Sequence, residues 1–273
     1  MPGASATVSV PELADIAESI GRDAAALAQR RRTEGVEVTD RKSSLVDVVT
    51  AADREVEAMI RRRIAEVRPD DGFLGEETGT SVGSSGLTWV VDPIDGTVNY
   101  LYGSPSYGVS IAVVEGEPHP ARWSALAGVV VAPATGDVHR AERGRGAWLN
   151  GRPLHVGAPA SLAESLVATG FGYTAERRRD QVRVLAGLIT EVRDIRRGGA
   201  ASLDLCAVAT GTVDAYYERG INPWDMAAGA LVAAEAGATV ESWDSGDARG
   251  YVVAAPVIAG ALVELVRGLE GTD

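Results

Sequence analysis

Residues 87–91, 107–114, 125–131 and 137–140 are short β-prone runs separated by Gly, Pro or Asn-Gly turn signals, and this succession of strands and tight turns constrains the fold more than any other feature. It predicts an antiparallel sheet. Asn150-Gly151 is the sharpest of the turns. On the N-terminal side the period becomes helical. Leu13, Ile16, Ala17, Ile20, Ala24, Leu27 and Ala28 share one face between Pro11 and about Arg32. A second helix begins near Thr50, where Thr50-Ala-Ala-Asp53 has capping-box character, and runs through Val56, Met59, Ile60 and Ile64 until Pro69 stops it. Its basic residues 61–63 read as a solvated face. Beyond residue 150, an apolar run at 166–169, helical stretches at 175–191, 200–209, 226–236 and 256–269, and strands at 238–243 and 251–254 alternate as in an α/β fold. With 273 residues, no internal repeat and no long linker, the expectation is an α+β / α/β chain whose halves, 1–150 and 151–273, pack as one compact unit.

Composition narrows the function. Hydrophobic residues at 45% and charged residues at 23% are those of an ordinary folded protein. Lys+Arg 26 against Asp+Glu 38 leaves a net charge of -12, which disfavours direct contact with nucleic acid or an anionic membrane. Such a chain needs cations to handle phosphate. Residues 1–10 lack signal-peptide character and no stretch of ~18 apolar residues occurs, so neither a targeting segment nor a membrane span is expected. The single cysteine, Cys206, excludes an intrachain disulfide and suits a reducing compartment, so the expected location is the cytoplasm. Within the apolar residues 203–208 it reads as a core thiol. His119 reads as a turn residue, and His139 and His155 as sheet or loop surface; three histidines are too few for a His-rich zinc site. No Gly-x-x-x-x-Gly-Lys-Ser/Thr loop occurs, and Gly144-Arg-Gly146 lacks the context of a dinucleotide fingerprint. Chemistry falls to the carboxylates.

The segment Trp89-Val-Val-Asp92-Pro-Ile-Asp95-Gly-Thr97 ends an apolar strand in a proline-bent turn carrying two acids, followed by backbone N–H groups at a helix start. Two acids at this spacing can hold hard cations through oxygen, and the helix start favours a phosphate on the same ions. A bare Asp-x-x-Asp is also compatible with a simple Asx turn. Gly75-Glu76-Glu77 places further acids at a strand end. Asn222-Pro-Trp-Asp225 puts another near a helix start, where a capping role is the plain alternative. Brought together, these carboxylates would repel one another unless cations compensated them.

These strings, in this order and at these separations, resemble the inositol monophosphatase family of Mg²⁺-dependent, lithium-sensitive phosphatases. The resemblance takes in Lys42-Ser-Ser, Asp47, Val49-Thr50-Ala-Ala-Asp53, Gly199-Ala-Ala-Ser202 and Asp214-Ala-Tyr-Tyr-Glu218, and so spans roughly residues 10–265. It implies a layered αβαβα sandwich and a homodimer. It also implies that Glu76, Asp92, the Ile94 carbonyl, Asp95 and Asp225 hold two or three Mg²⁺, with Asp92 bridging two. By the same resemblance, Asp53 and Thr97, with Glu76 close by, orient and activate the attacking water. The amides of Gly96 and Thr97 hold the phosphate beside Asp95, while Gly199, Ala201 and Glu218 lie against the hydroxylated body of the substrate.

Val98-Asn99-Tyr100 after the motif resembles inositol phosphatases, whereas relatives acting on histidinol phosphate often carry a basic residue there. The expected substrate is therefore a small phosphate monoester, inositol 1-phosphate. Fructose 1,6-bisphosphate would need a second phosphate site, for which Arg177, Arg178, Arg179, Arg196 and Arg197 are the candidates. Aromatics at 5% disfavour adenine nucleotides. Leu45, Pro223 and the paired Gly198-Gly199 depart from the family pattern in ways that bear on substrate choice. A regulatory role in transcription is known for some relatives, but Asp53, Glu76, Asp92, Asp95, Thr97 and Asp225 together favour an enzyme.

Overall fold

The computed structural model describes residues 8–36, 38–41, 48–246 and 248–271; Lys42, Leu45 and Asp47 lie outside them. Helix α1 (Val10–Glu34) precedes an antiparallel pair, β1 (Val38–Arg41) and β2 (Val48–Thr50), and helix α2 (Ala51–Val67). Then come β3 (Gly72–Gly75), β4 (Gly79–Ser81), β5 (Leu87–Asp95) and the short helix α3 (Thr97–Tyr102). Strands β6 (Gly108–Gly116), β7 (Trp123–Ala132), β8 (Asp137–Glu142), β9 (Gly146–Leu149) and β10 (Arg152–Pro153) complete the first sheet. The remainder runs β11 (Leu166–Thr169), α4 (Ala175–Leu188), β12 (Asp194–Arg196), α5 (Ala201–Ala209) and β13 (Ala215–Arg219). It closes with α6 (Pro223–Glu235), β14 (Thr239–Ser245), β15 (Ala248–Ala254) and α7 (Pro256–Glu270).

The two large sheets have strand orders β10-β9-β8-β7-β6-β5-β3-β4 and β12-β11-β13-β15-β14. Alternation along the strands explains the layering. Trp89, Val91, Ile111, Val113 and Val129 face one way and pack under α1 and α2 with Leu13, Ile20 and Ile60. Val90, Ala112, Val114 and Val130 face the other way, onto Leu205, Val208 and Met226 of α5 and α6. Those helices also cover Tyr216 and Val253 of the second sheet, whose opposite face, with Val167, Tyr217 and Val252, packs on Leu188 of α4 and Ile258 and Leu262 of α7. Three cores between five layers give the expected αβαβα sandwich. Both faces of each sheet are covered, which is why the central strands read as continuous apolar runs.

Local signals set the first two helices. Ser9 and Glu12 form a capping box at α1, with Pro11 in its first turn; Thr50 and Asp53 form another at α2. Several expectations are corrected. The first sheet is mixed, because β3 runs parallel to β5. The strand at 87–91 does not stop at its acids: it continues to Asp95 through a bulge that shifts register between Asp92 and Asp95, where Pro93 has no N–H to miss. The helix expected at 175–191 ends at Leu188, and the one expected at 226–236 already begins at Pro223. His139 is no surface residue; it is buried in β8, and desolvation lowers its pKa.

Candidate metal and substrate site

The register of the parallel pair builds the first half of the site. Gly75 lies opposite Val91, so the next residues, Glu76 just past the end of β3 and Asp92 at the start of the β5 bulge, emerge side by side. The Glu76 N–H reaches the Val91 carbonyl at 3.3 Å. In the bulge, Asp92 Oδ1 accepts the Ile94 N–H at 3.0 Å. Asp95 reaches across to helix α5: its Oδ2 accepts the Ser202 N–H at 2.7 Å and the Ser202 hydroxyl at 2.5 Å, and its Oδ1 accepts the Ala201 N–H at 3.3 Å. A strand acid thus caps a helix that has no cap of its own.

Helix α6 supplies the fourth acid. Asp225 occupies the first turn, with the Asn222 N–H and side-chain amide at 3.3 and 3.2 Å. Gly229 of α6 lets the helix lie against α5, since a Cβ there would stand 2.8 Å from Leu205 Cβ and 2.9 Å from the Ser202 carbonyl. The close approach brings Asp225 to the acids of β5: one carboxylate oxygen from each of Asp92, Asp95 and Asp225 lies within 4.8 Å of the others. Burial, reinforced by Glu76, Asp95 and Asp225, holds Asp92 well above the usual carboxylate range. Asp225 is raised well above it too, by burial and then by Asp95 and Glu76. The Asp92 and Asp225 carboxyls interact directly across the cluster. Carboxylates held this close call for positive charge among them, and the hard oxygen donors suit Mg²⁺.

A second cluster adjoins this one. The Thr97 hydroxyl, at the start of α3, lies 3.1 Å from Asp53 Oδ1 and 3.2 Å from the Ile94 carbonyl. Asp53 Oδ2 accepts the Thr50 N–H at 2.8 Å, so this acid both caps α2 and faces Thr97. Burial raises Asp53 to about 6 against the lowering pull of its hydrogen bonds from Thr50 and Thr97. Gly96 enters α3 at φ 90°, a left-handed conformation that glycine adopts without strain, and packs against the Gly199 carbonyl.

Six of the residues singled out in the sequence, Glu76, Asp95, Gly199, Ala201, Glu218 and Asp225, line one cavity of about 450 Å³. Asp53, Asp92, Ile94 and Thr97 are buried beside it. Glu218, on β13, accepts a short hydrogen bond from the Tyr216 hydroxyl, and burial raises it to about 7. The arginine clusters divide. Arg177 and Arg197 line the cavity, while Arg196 pairs with Asp194 at 2.6 Å.

The family profile of the inositol monophosphatases matches residues 10–270. The chain belongs to the inositol monophosphatase family. It is a phosphatase by that membership. An inositol-1-monophosphatase of Mycobacterium leprae is 42% identical over 283 residues, 95% of each chain. The solved structure of Mycobacterium tuberculosis SuhB superposes with a TM-score of 0.83 at 40% identity, covering 98% of this chain and 100% of that one. A Xylella fastidiosa protein named Nus factor SuhB is 41% identical over 209 residues, covering 76% of this chain and 73% of its own.

Within this family member, three residues to which the sequence assigned no role support the site. Ser202 bonds Asp95, and Glu57 accepts the Glu77 and Thr78 amides at 2.8 Å each. Asp204 faces the cavity, where burial and the charges of Asp95 and Glu218 raise it to about 7. Asp204 had a visible signal, an acid between Leu203 and Leu205. Ser202 stood in the Gly199-Ala-Ala-Ser202 string, but its contact with Asp95, like those of Glu57, was hidden because the partners are distant in sequence.

Proposed function

We propose that the chain hydrolyses inositol 1-phosphate to inositol and phosphate with Mg²⁺, as a cytoplasmic homodimer. The observation that carries the reading is the convergence of Asp92, Asp95 and Asp225 beside the Asp53–Thr97 pair. Glu76, Asp92, the Ile94 carbonyl, Asp95 and Asp225 would hold two or three ions, with Asp92 shared. Mg²⁺ bound there supplies the positive charge that lets an acidic protein take a phosphate dianion and that favours both attack by water and departure of the alkoxide.

The protein's own residues do the rest. Thr97 gives its proton toward Asp53 and turns its oxygen lone pairs to an incoming water, so proton loss from that water is relayed to a carboxylate outside the metal cluster. The Gly96 and Thr97 amides, at the start of α3, receive the phosphate. Gly199, Ala201 and Glu218 receive the ring. Names of relatives, among them the Mycobacterium leprae inositol-1-monophosphatase, support inositol 1-phosphate as the ester. Arg177 and Arg197 on the cavity wall support a second reading, in which a bisphosphate such as fructose 1,6-bisphosphate is accepted. The Nus factor relative supports a role as a transcription partner, against which stands the completeness of the acid set.

Phosphate release from inositol 1-phosphate, histidinol phosphate and fructose 1,6-bisphosphate, with Mg²⁺ and then EDTA, tests the proposal. Fastest metal-dependent turnover of inositol 1-phosphate is expected; a different fastest ester overturns the substrate, and no turnover overturns the enzyme. Glu218→Ala is expected to raise KM for inositol 1-phosphate about tenfold, the loss of one charge-assisted hydrogen bond, with kcat little changed. A fall in kcat alone would remove Glu218 from the ring contacts.

A stability prediction follows from the raised carboxylates. Asp53 at about 6, and Asp204 and Glu218 at about 7, hold their protons more tightly folded than unfolded. Their contribution to stability is complete below about pH 4 and is lost as pH rises through the folded values. The melting temperature in EDTA is therefore expected to fall behind that in Mg²⁺ as pH rises from about 5 to 8. A gap independent of pH would contradict this.

A further inference from the structure

We propose that Glu57 is a positioning residue that fixes Glu76 for the cations; this rests on the metal reading above. Glu57 lies on α2, fully buried, one turn beyond Asp53. Only residues 76–78 join β3 to β4, and all three of their amides are taken. Glu57 Oε2 accepts the Glu77 N–H and Oε1 the Thr78 N–H, each at 2.8 Å, while the Glu76 N–H is bound to the Val91 carbonyl at 3.3 Å. Neighbours on the same face of α2 reinforce the grip. Arg61 donates to the Thr78 hydroxyl at 2.9 Å, and Arg54 lies 4.0 Å from the Glu77 carboxylate.

Gly75 makes room for the clamp, because a Cβ there would stand 2.5 Å from Glu57 Oε2. A buried carboxylate is compensated here by amide N–H groups, an arrangement stronger than neutral hydrogen bonds. Its consequence is mechanical. One rigid helix carries Asp53 at its first turn and holds the turn of Glu76 at its second, so the acid beside Thr97 and the acid beside Asp92 keep a fixed separation.

The test is Mg²⁺ binding by titration calorimetry. Glu57→Gln keeps the shape but sets an amide NH₂ against one of the two N–H groups. It is expected to weaken Mg²⁺ binding about tenfold or more, as loss of a group orienting a ligand does. In a Glu76→Gln background the same change should add no more than about twofold, the scatter of independent sites. Gly75→Ala, whose Cβ would stand 2.5 Å from both Glu57 Oε2 and the Phe73 ring and so displaces the clamp, is expected to reproduce the weakening. A lowered melting temperature with Mg²⁺ affinity unchanged would make Glu57 a structural group and overturn the proposal, as would an equal loss in the Glu76→Gln background. If the unaltered chain takes up no Mg²⁺, the metal reading falls and this role with it.

Discussion

Replacing Asp92 with Asn is expected to abolish turnover, by about 10³-fold or more, while leaving the fold intact. Asp92 is buried at 1% exposure, at the point where Glu76, Asp95 and Asp225 all raise its pKa. Asn is close to Asp in size and adds no charge to a cluster of mutually repelling carboxylates, so the fold is little disturbed. Stability and function should therefore separate. The variant is expected to melt no lower than the unaltered chain in EDTA at pH 8, and to gain nothing from Mg²⁺, whereas the unaltered chain gains. Thermal melts with and without Mg²⁺, beside a phosphate-release assay, check both halves. Retained turnover would remove Asp92 from the metal site.

Asp53→Asn should show the second largest effect, a fall in kcat of about 10²- to 10⁴-fold, the range of one lost proton acceptor. Thr50 remains the cap of α2, and the side-chain oxygen of an Asn at 53 can still accept the Thr50 N–H, so α2 is expected to persist. The pH profile distinguishes a chemical role from a structural one. With Asp53 raised to about 6, turnover of the unaltered enzyme should decline on an acid limb at or below that value, because a protonated Asp53 cannot take the Thr97 proton. Bound cations move the limb downward. The variant should lack it. A loss of stability with kcat per folded molecule unchanged would leave Asp53 a helix cap and nothing more.

What could be read in the sequence was what is local. Thr50 with Asp53 is a capping box within four residues, and α2 begins where it predicts; α1, placed from Pro11 by its apolar period, begins at Val10 behind a second box of Ser9 and Glu12. The turns between β5, β6, β7 and β8 carry their own Gly and Pro, so their antiparallel order was legible. The parallel seat of β3 beside β5 was not, because its partner is chosen by what α2 and the sheet leave room to bury. Strands β12 and β13 likewise went unread: each is short, and β12 shows only one apolar residue among charges.

In the site, Asp92 and Asp95 were legible because a span of four residues holds both acids. Arg177 and Arg197 could not be told from Arg178, Arg179 and Arg196 in sequence. Each pair differs by which side of a loop or helix meets the cavity, a tertiary fact.

Anomalous diffraction from crystals soaked in Mn²⁺, a close stand-in for Mg²⁺ at oxygen ligands, tests most directly whether this acid cluster is a metal centre. Peaks are expected against the carboxylates of Asp92, Asp95 and Asp225, and against Glu76 and the Ile94 carbonyl, with Asp92 touching more than one. Well-diffracting crystals with no peak there, or with manganese bound only elsewhere on the acidic surface, would contradict the assignment of these residues to catalysis.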